Sequence, residues 1–495
     1  MAEIVLATLN ARYSHASLGL RYLHANLAEL QDRAEIVEFV IGARTESIAE
    51  TILSREPRLL GLGVYIWNVE ETTRLVALLK RLAPELRIVL GGPEVSHEVN
   101  EQAICRMADH VITGTAEHEF AELCRQTLAW KAGQAPRPLT HVISGGRLEP
   151  ADVTMPYSLY DDRDIAHRNL YVEASRGCPY RCEFCLSALD RTAVPFPLEP
   201  LLDELAILYK RGARRFRFVD RTFNLKIDTS LAILSFFLER IEAHPDDPCF
   251  AHFELVPDHL PERLREILPR FPAGSLQFEI GIQSWNTEVQ ALISRRQNNA
   301  KAEENLRWLR EHTSANLHVD LIAGLPGETM VSFGAGFDRL VALNPQEIQV
   351  GILKRLRGAP ISRHTEAFDL RFNPSPPYNV LATRDIPFSG MQRLARFARY
   401  WELIGNSGRF SARLPELLGP QPFNRFMAFS DWIYARTDST WRFSPERLAQ
   451  LIDAWLISSS EIEFHHGTPQ EPLHRRRQDS DSGHPAPGVA ARRAG

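Results

Sequence analysis

Short β-branched runs alternate with amphipathic stretches through roughly the first 130 residues. The pattern predicts strands at Ile4–Leu9, Glu35–Ile41, Leu59–Ile66, Ile88–Gly91 and His110–Gly114. Helical periodicity falls between them, at Leu18–Leu30, Ser47–Ser54, Glu70–Leu82, His97–Arg106 and Glu117–Trp130. Runs that are apolar on both faces and separated by helices describe an open parallel sheet covered on both sides. That assigns residues 1–135 to one α/β domain. Ligands of such sheets bind beyond the carboxyl ends of the strands.

A Gly- and Pro-rich linker is expected over 136–163, and a second alternating series follows. Its strands are predicted at Leu170–Ala174, Arg214–Val219, Phe250–Leu255, Leu276–Ile282, Leu317–Ala323 and Glu347–Leu353. Helices are predicted at Leu201–Lys210, Ser230–Ile241, Pro261–Leu268, Ala300–Glu311 and Val331–Leu343. Six βα units over 164–355 curve into a partial barrel whose site lies at the strand C-termini. Residues 356–465 are expected to be mainly helical, at Phe388–Leu403, Asn424–Arg436 and Pro445–Ile457. Residues 466–495, rich in Pro, Gly, Ser and Arg, are expected to be disordered, with Arg475-Arg476-Arg477 a solvated charge run.

With 495 residues, 44% of them hydrophobic and 24% charged, the chain has the composition of a globular protein of two or three domains. A net charge of −5 gives no basic excess for a nucleic-acid surface, so nucleic acid is not an expected partner. No apolar run is long enough to span a bilayer, and a cytoplasmic location with no membrane partner is expected.

Cysteine use changes the picture most. Three of six cysteines, Cys178, Cys182 and Cys185, fall in one C-x3-C-x2-C run. A structural zinc site or an ordinary ferredoxin cluster takes four protein ligands. No histidine stands at ligand spacing, the nearest being His167 and His244. Three thiolates can hold three irons of a [4Fe–4S] cubane and leave the fourth iron open to bind and reduce a ligand.

Strand ends supply further candidates. In the second series these are Asp220, a carboxylate able to accept from an ammonium group, Glu254, Gln283 with Ser284, and Gly281 and Gly324, where backbone can lie against a ligand. Each acid can equally be a helix cap or a salt-bridge partner. In the first series the strand ends carry Asn10, Tyr13, His15, Trp67, Gly91, Gly92, Gly114 and Glu117, a cofactor platform or a set of strand-ending turns.

The cysteine loop with Phe184 before its last cysteine, the turn Val219-Asp220-Arg221-Thr222-Phe223-Asn224, the strand Gly281-Ile282-Gln283-Ser284 and the turn Gly324-Leu325-Pro326-Gly327-Glu328 resemble the cobalamin-binding-domain class of radical S-adenosylmethionine (SAM) proteins. That class includes the anaerobic magnesium-protoporphyrin ester cyclase. The resemblance covers roughly Ile4 to Ile457. It implies a Rossmann-like cobalamin-binding domain, a partial (β/α)6 TIM-like radical SAM barrel and a helical C-terminal region. It implies a [4Fe–4S] cluster on the three cysteines and SAM at Phe184, Asp220, Glu254, Gln283, Ser284 and Gly324. It places cobalamin at Asn10, Tyr13, Trp67, Gly91, Gly92, Gly114 and Glu117.

The Asp-x-His-x-x-Gly cobalamin signature is absent, and His15 reads as a loop or capping residue. The implied activity is reductive SAM cleavage that leads to methylation of an unactivated carbon. The substrate is a small molecule or peptide, and the electron donor is of the flavodoxin or ferredoxin kind. Cyclisation or rearrangement, tRNA methylthiolation and a non-catalytic cobalamin or redox sensor are the alternatives. Methylthiolation needs a second cluster, and only Cys105 and Cys124 lie in the first domain, both in helical patterns.

Overall fold

The computed structural model describes residues 2–466, with side chains to 458. The tail expected to be disordered, including Arg475-Arg476-Arg477, lies outside the described residues apart from the helical His466. Met1–Phe443 forms one compact unit, and a second begins at Ser444 and contains the helix Pro445–His466.

The first sheet is built from β1 (Ile4–Asn10), β2 (Ala34–Val40), β3 (Leu59–Gly63), β4 (Arg87–Gly91), β5 (His110–Thr113) and β6 (Val142–Ser144). All pairings are parallel, in the order β2-β1-β3-β4-β5-β6. Every residue of β1 is buried, because successive side chains feed two cores. Val5, Ala7 and Leu9 pack with Ile48, Ile52, Val76 and Leu79 on one face, and Ile4 and Leu6 pack with Leu20, Phe120 and Leu128 on the other. The strand order reverses between β1 and β3, which opens a crevice at their carboxyl ends.

Local differences from the sequence expectation have local causes. β3 stops at Gly63 because the buried Asn68 side chain accepts from Tyr65 N and donates to Leu9 O and Gly63 O, turning the chain into the helix Val69–Leu82. The helix from Leu18 ends at Ala25, where Asn26 caps it, and a 3₁₀ segment follows. Most of the segment expected as a helix over His97–Arg106 is loop and 3₁₀ turn before the helix Ala103–Met107. β6 lies inside the expected linker.

The second series contributes β7 (Leu170–Val172), a small antiparallel pair β8 (Ser175–Arg176) and β9 (Val194–Pro195), then β10 (Arg215–Phe218), β11 (Phe250–Leu255), β12 (Leu276–Gln283), β13 (Asn316–Ala323) and β14 (Glu347–Ile352). The parallel sheet runs β14-β13-β12-β11-β10-β7, and β7 and β14 do not pair, so the barrel is partial. β12 and β13 alternate strictly. Leu276, Phe278, Ile280, Leu317, Val319 and Leu321 are buried, whereas Gln277, Glu279, His318 and Asp320 occupy the opposite face. That face supplies the polar interior of the barrel.

β15 (Arg371–Phe372) pairs antiparallel with β16 (Val380–Ala382). The helices Phe388–Ile404 and Pro422–Thr437 then pack an aromatic cluster of Phe397, Trp401, Phe423 and Phe426 against Phe337. Among the described residues no helix is long and apolar enough to cross a membrane.

Candidate active site and second cavity

The cysteine loop is the connection between β8 and β9. Gly177 opens it at φ +88°, and a Cβ there would stand 2.5 Å from the Thr192 carbonyl, so only glycine fits without strain. Cys178 N donates to Asp190 O at 2.8 Å, and Cys185 N donates to Cys182 O at 3.1 Å. Between the cysteines lies Glu183, a buried carboxylate and the loop's main anchor. It accepts from Ser294 Oγ at 2.5 Å, from His364 Nε2 at 2.8 Å and from Arg363. Its backbone is tied to Ile293 O and Ile361 N.

All three thiols line a cavity of about 210 Å³ at the carboxyl end of the barrel strands. Cys178 and Cys182 are buried and Cys185 is partly open, and none is in a disulfide. Burial pushes the Cys178 and Cys182 thiols up, and at Cys182 the Arg295 Nη1, 3.5 Å from the sulfur, opposes the shift. Among the described residues no three His, Cys, Asp or Glu side chains converge on a single metal ion. A cubane sets a different requirement, since each thiolate holds a different iron. The donor set fits that group: three thiolates on one wall, with no fourth cysteine and no histidine in the cavity lining.

The rest of the lining is largely ionic. Arg221 pairs with Glu254 at 2.5 Å, and Glu279, Asp320 and Arg295 complete it. Burial raises Glu254 to about 7 despite Arg221. Glu279 is drawn below the usual carboxylate range because His252, His318 and Arg221 outweigh its burial. Burial opposes a charge on His318, but hydrogen bonds to Asp320 and Glu347 prevail and carry it up to about 10. Gln283 adopts φ +68° where β12 breaks register with β13, an unusual conformation held at the cavity mouth.

Of the residues expected to touch SAM, Phe184, Glu254 and Gln283 line this cavity, and Asp220, Ser284 and Gly324 do not. The Asp220 carboxylate is buried behind the wall, accepting from Ala174 N at 2.9 Å and Ser175 Oγ at 2.5 Å, and burial raises it to about 6. It holds the strand that enters the cysteine loop. Ser284 bonds to Glu328, and Gly324 packs against Val380 and Met391. Sequence reasoning places Glu279 and Asp320 near strand ends but gives neither a role, although the alternation of β12 and β13 marks both as interior. It missed Arg295, whose irregular loop gives no signal.

A second cavity, about 340 Å³, lies at the carboxyl ends of β3, β4 and β5. Its wall is largely apolar and stripped of side chains, with Gly61, Gly63, Gly91, Gly92 and Gly114 beside Leu20, Leu23 and Phe120. Gly92 has φ +110°, and a Cβ there would meet Val64 O at 2.4 Å. Such a wall lets the broad face of a bulky ligand, as the corrin ring of cobalamin is, lie close to the backbone, and no histidine lines it. Of the residues expected to touch cobalamin, Gly91, Gly92, Gly114 and Glu117 line this cavity.

Asn10, Tyr13 and Trp67 do not. Asn10 Nδ2 donates to His15 O and Glu38, Tyr13 OH accepts from Arg163 at 2.6 Å, and Trp67 stacks on Tyr65 and donates to Leu9 O. His15 stacks on Tyr171 away from the wall. Gly61 and Gly63 were missed, although glycines inside an apolar strand signal a close approach.

One residue joins the two sites. Arg176, in β8 two residues before Cys178, lies in the wall of the second cavity. It pairs with Glu117 at 2.7 Å and Glu173 at 3.1 Å and stacks over the Tyr22 ring. Burial pushes Glu173 up to about 7, with Arg176 opposing.

These two sites coincide with two family matches. Residues 172–339 match the radical SAM superfamily, and residues 4–124 match the B12 binding domain. The chain thus pairs a radical SAM region with a B12-binding region, the two kinds of domain that take a [4Fe–4S] cluster with SAM and cobalamin. Residues 366–461 match a family described as a protein of unknown function (DUF4080).

TokK of Streptomyces tokunonensis, a cobalamin-dependent radical SAM methyltransferase, is 26% identical over 364 residues, 68% of this chain and 52% of its own length. The tRNA-2-methylthio-N(6)-dimethylallyladenosine synthase of Thiobacillus denitrificans is 23% identical over 71% of this chain and 77% of its own. The chain spans about half the length of the first curated relatives it matches. The fold is that of OxsB, a cobalamin-dependent SAM radical enzyme (TM-score 0.64, 14% identity, 94% of this chain and 81% of that one). It is also that of TsrM from Kitasatospora setae, a radical SAM methyltransferase (TM-score 0.59, 17% identity, 76% and 80%).

Proposed function

We propose that the chain is an enzyme that methylates an unactivated carbon, using SAM at a [4Fe–4S] cluster together with cobalamin. The observation that carries this reading is Arg176, whose side chain forms part of the second cavity and whose strand leads into the loop bearing Cys178, Cys182 and Cys185. When bound, the cluster with SAM supplies one-electron cleavage chemistry and cobalamin supplies the methyl group.

The chain's own residues hold and shield these reactants. Glu183 fixes the cysteine loop, and Gln283 and Phe184 line the reaction cavity. Arg221 and Glu254 present a carboxyl group whose affinity for protons lies near neutrality, suited to exchanging a proton with a bound ligand. An electron donor of the flavodoxin or ferredoxin kind and a cytoplasmic setting belong to this reading, because a low-potential cluster needs both a reductant and reduced thiols.

The test is anaerobic reconstitution with iron, sulfide and hydroxocobalamin, followed by SAM and a strong reductant. Formation of 5′-deoxyadenosine or S-adenosylhomocysteine is the expected result. A fully loaded protein that forms neither would favour a cobalamin or redox sensor. Methylthiolation is disfavoured by the cysteines: Cys105 and Cys124 are fully buried in the first sheet's opposite cores, and burial raises both thiols. Cyclisation would form 5′-deoxyadenosine without S-adenosylhomocysteine and leave the substrate without an added methyl group.

A further inference from the structure

β14 is an edge strand, and its free edge is interrupted in an informative way. Ile348 N donates to Asn406 Oδ1 at 3.0 Å and Ile348 O accepts from Asn406 Nδ2 at 3.1 Å, so a carboxamide occupies the place of a neighbouring strand. Beyond the other end of the strand, Leu353 O accepts from Val380 N at 2.7 Å and Arg355 N donates to Tyr378 O at 3.0 Å, an antiparallel rung about Lys354 and Asn379. Between these caps the period of two turns the backbone of Val350 and the N–H of Ile352 outward. Those groups have no partner among the described residues.

They face a groove of about 690 Å³, far larger than the cavity at the cysteines. The facing helix, Phe388–Ile404, offers Ala395 and Ala398, small residues that leave room beside the strand. Phe184 belongs to both walls, so the groove lies directly beside the cysteine-lined cavity with that ring between them.

We propose that this groove takes an extended peptide segment as substrate, paired through its backbone with Val350 and Ile352 and leading one residue past Phe184 to the reaction cavity. Unmade amide rungs select an amide backbone, and both flanking positions are already filled by amide groups. An ordinary bare edge is not enclosed in this way. The inference rests on the proposed function for its chemistry but not for its binding contacts.

The test is hydrogen exchange on the full-length, cluster-loaded chain, with a pool of N-acetylated, C-amidated hexapeptides of random sequence as the probe. Exchange at Val350 and Ile352 is expected to slow by about tenfold. Ala398→Trp, which fills the groove, is expected to remove that protection while keeping the melting transition and the cluster absorbance. No slowing at millimolar peptide would overturn the proposal, as would equal slowing by a mixture of free amino acids. Protection present without peptide and lost on deleting residues 467–495 would also overturn it, assigning the groove to the chain's own terminal segment. SAM cleavage is followed in the same samples: cleavage without peptide protection sinks only the groove, and protection without cleavage sinks only the enzymatic reading.

Discussion

The two parallel sheets of this chain make cavities at equivalent places and by opposite means. In the first, β3 and β4 end in glycines, and the cavity wall is backbone and aliphatic side chain. In the second, β11, β12 and β13 send Glu254, Glu279 and Asp320 inward, and two arginines answer them. A wall without side chains selects by shape and accepts a large ligand. A wall of buried charges selects by electrostatics and orients a small ionic one. One scaffold thus provides two sites with separate selectivity, connected through Arg176.

The connection is the first part of the comparison to break. Arg176→Ala leaves Glu117 and Glu173 without their shared cation, and removing one partner of a buried ion pair costs about 3–5 kcal/mol. Calorimetry should show that loss, and cobalamin retention and cluster absorbance should fall together. Loss of one without the other would mean that the sites are independent.

Gly91→Trp should separate them. Its Cβ would meet only Ile112 O, at 3.9 Å, so the indole can enter the cavity without a backbone clash. Cobalamin affinity measured by absorbance titration should fall about a hundredfold, near 3 kcal/mol, with iron content unchanged.

Glu183→Gln acts on the other side. Losing charge-assisted bonds to Arg363 and His364 costs about 1–3 kcal/mol, so the cluster should be lost faster to a chelator while cobalamin binding is kept.

The last effect concerns pH. His318 is raised to about 10 in the folded chain from an ordinary value near 6.5. Its stabilising charge is therefore fully present below pH 6.5 and is lost as pH rises through 10. The melting temperature should fall across that window, and less steeply in His318→Gln.

Much of this was legible in the sequence because periodicity reports burial. β1, buried on both faces, and β12 with its strict alternation announce themselves, and three cysteines in one loop need no fold to be noticed. What remained hidden depends on contacts distant in sequence. Asp220 lies in the right turn, but its carboxylate is taken by Ala174 and Ser175, 46 and 45 residues away. Trp67 stands at a strand end yet stacks on Tyr65, outside the cavity. Arg295 reaches Cys182 across 113 residues, and no local pattern marks it. Strand ends predict where a ligand sits; which side chains face it is settled by hydrogen bonds from other elements.

The central claim is that one chain holds a three-cysteine cluster and a separate corrinoid site. Counting iron and cobalt in a single anaerobically reconstituted preparation tests it most directly. The native chain should carry a full complement of both, and the Cys178→Ala, Cys182→Ala, Cys185→Ala triple variant should lose the iron and keep the cobalt. Iron retained at full cluster stoichiometry in the triple variant, or no cobalt bound by either protein, would contradict it.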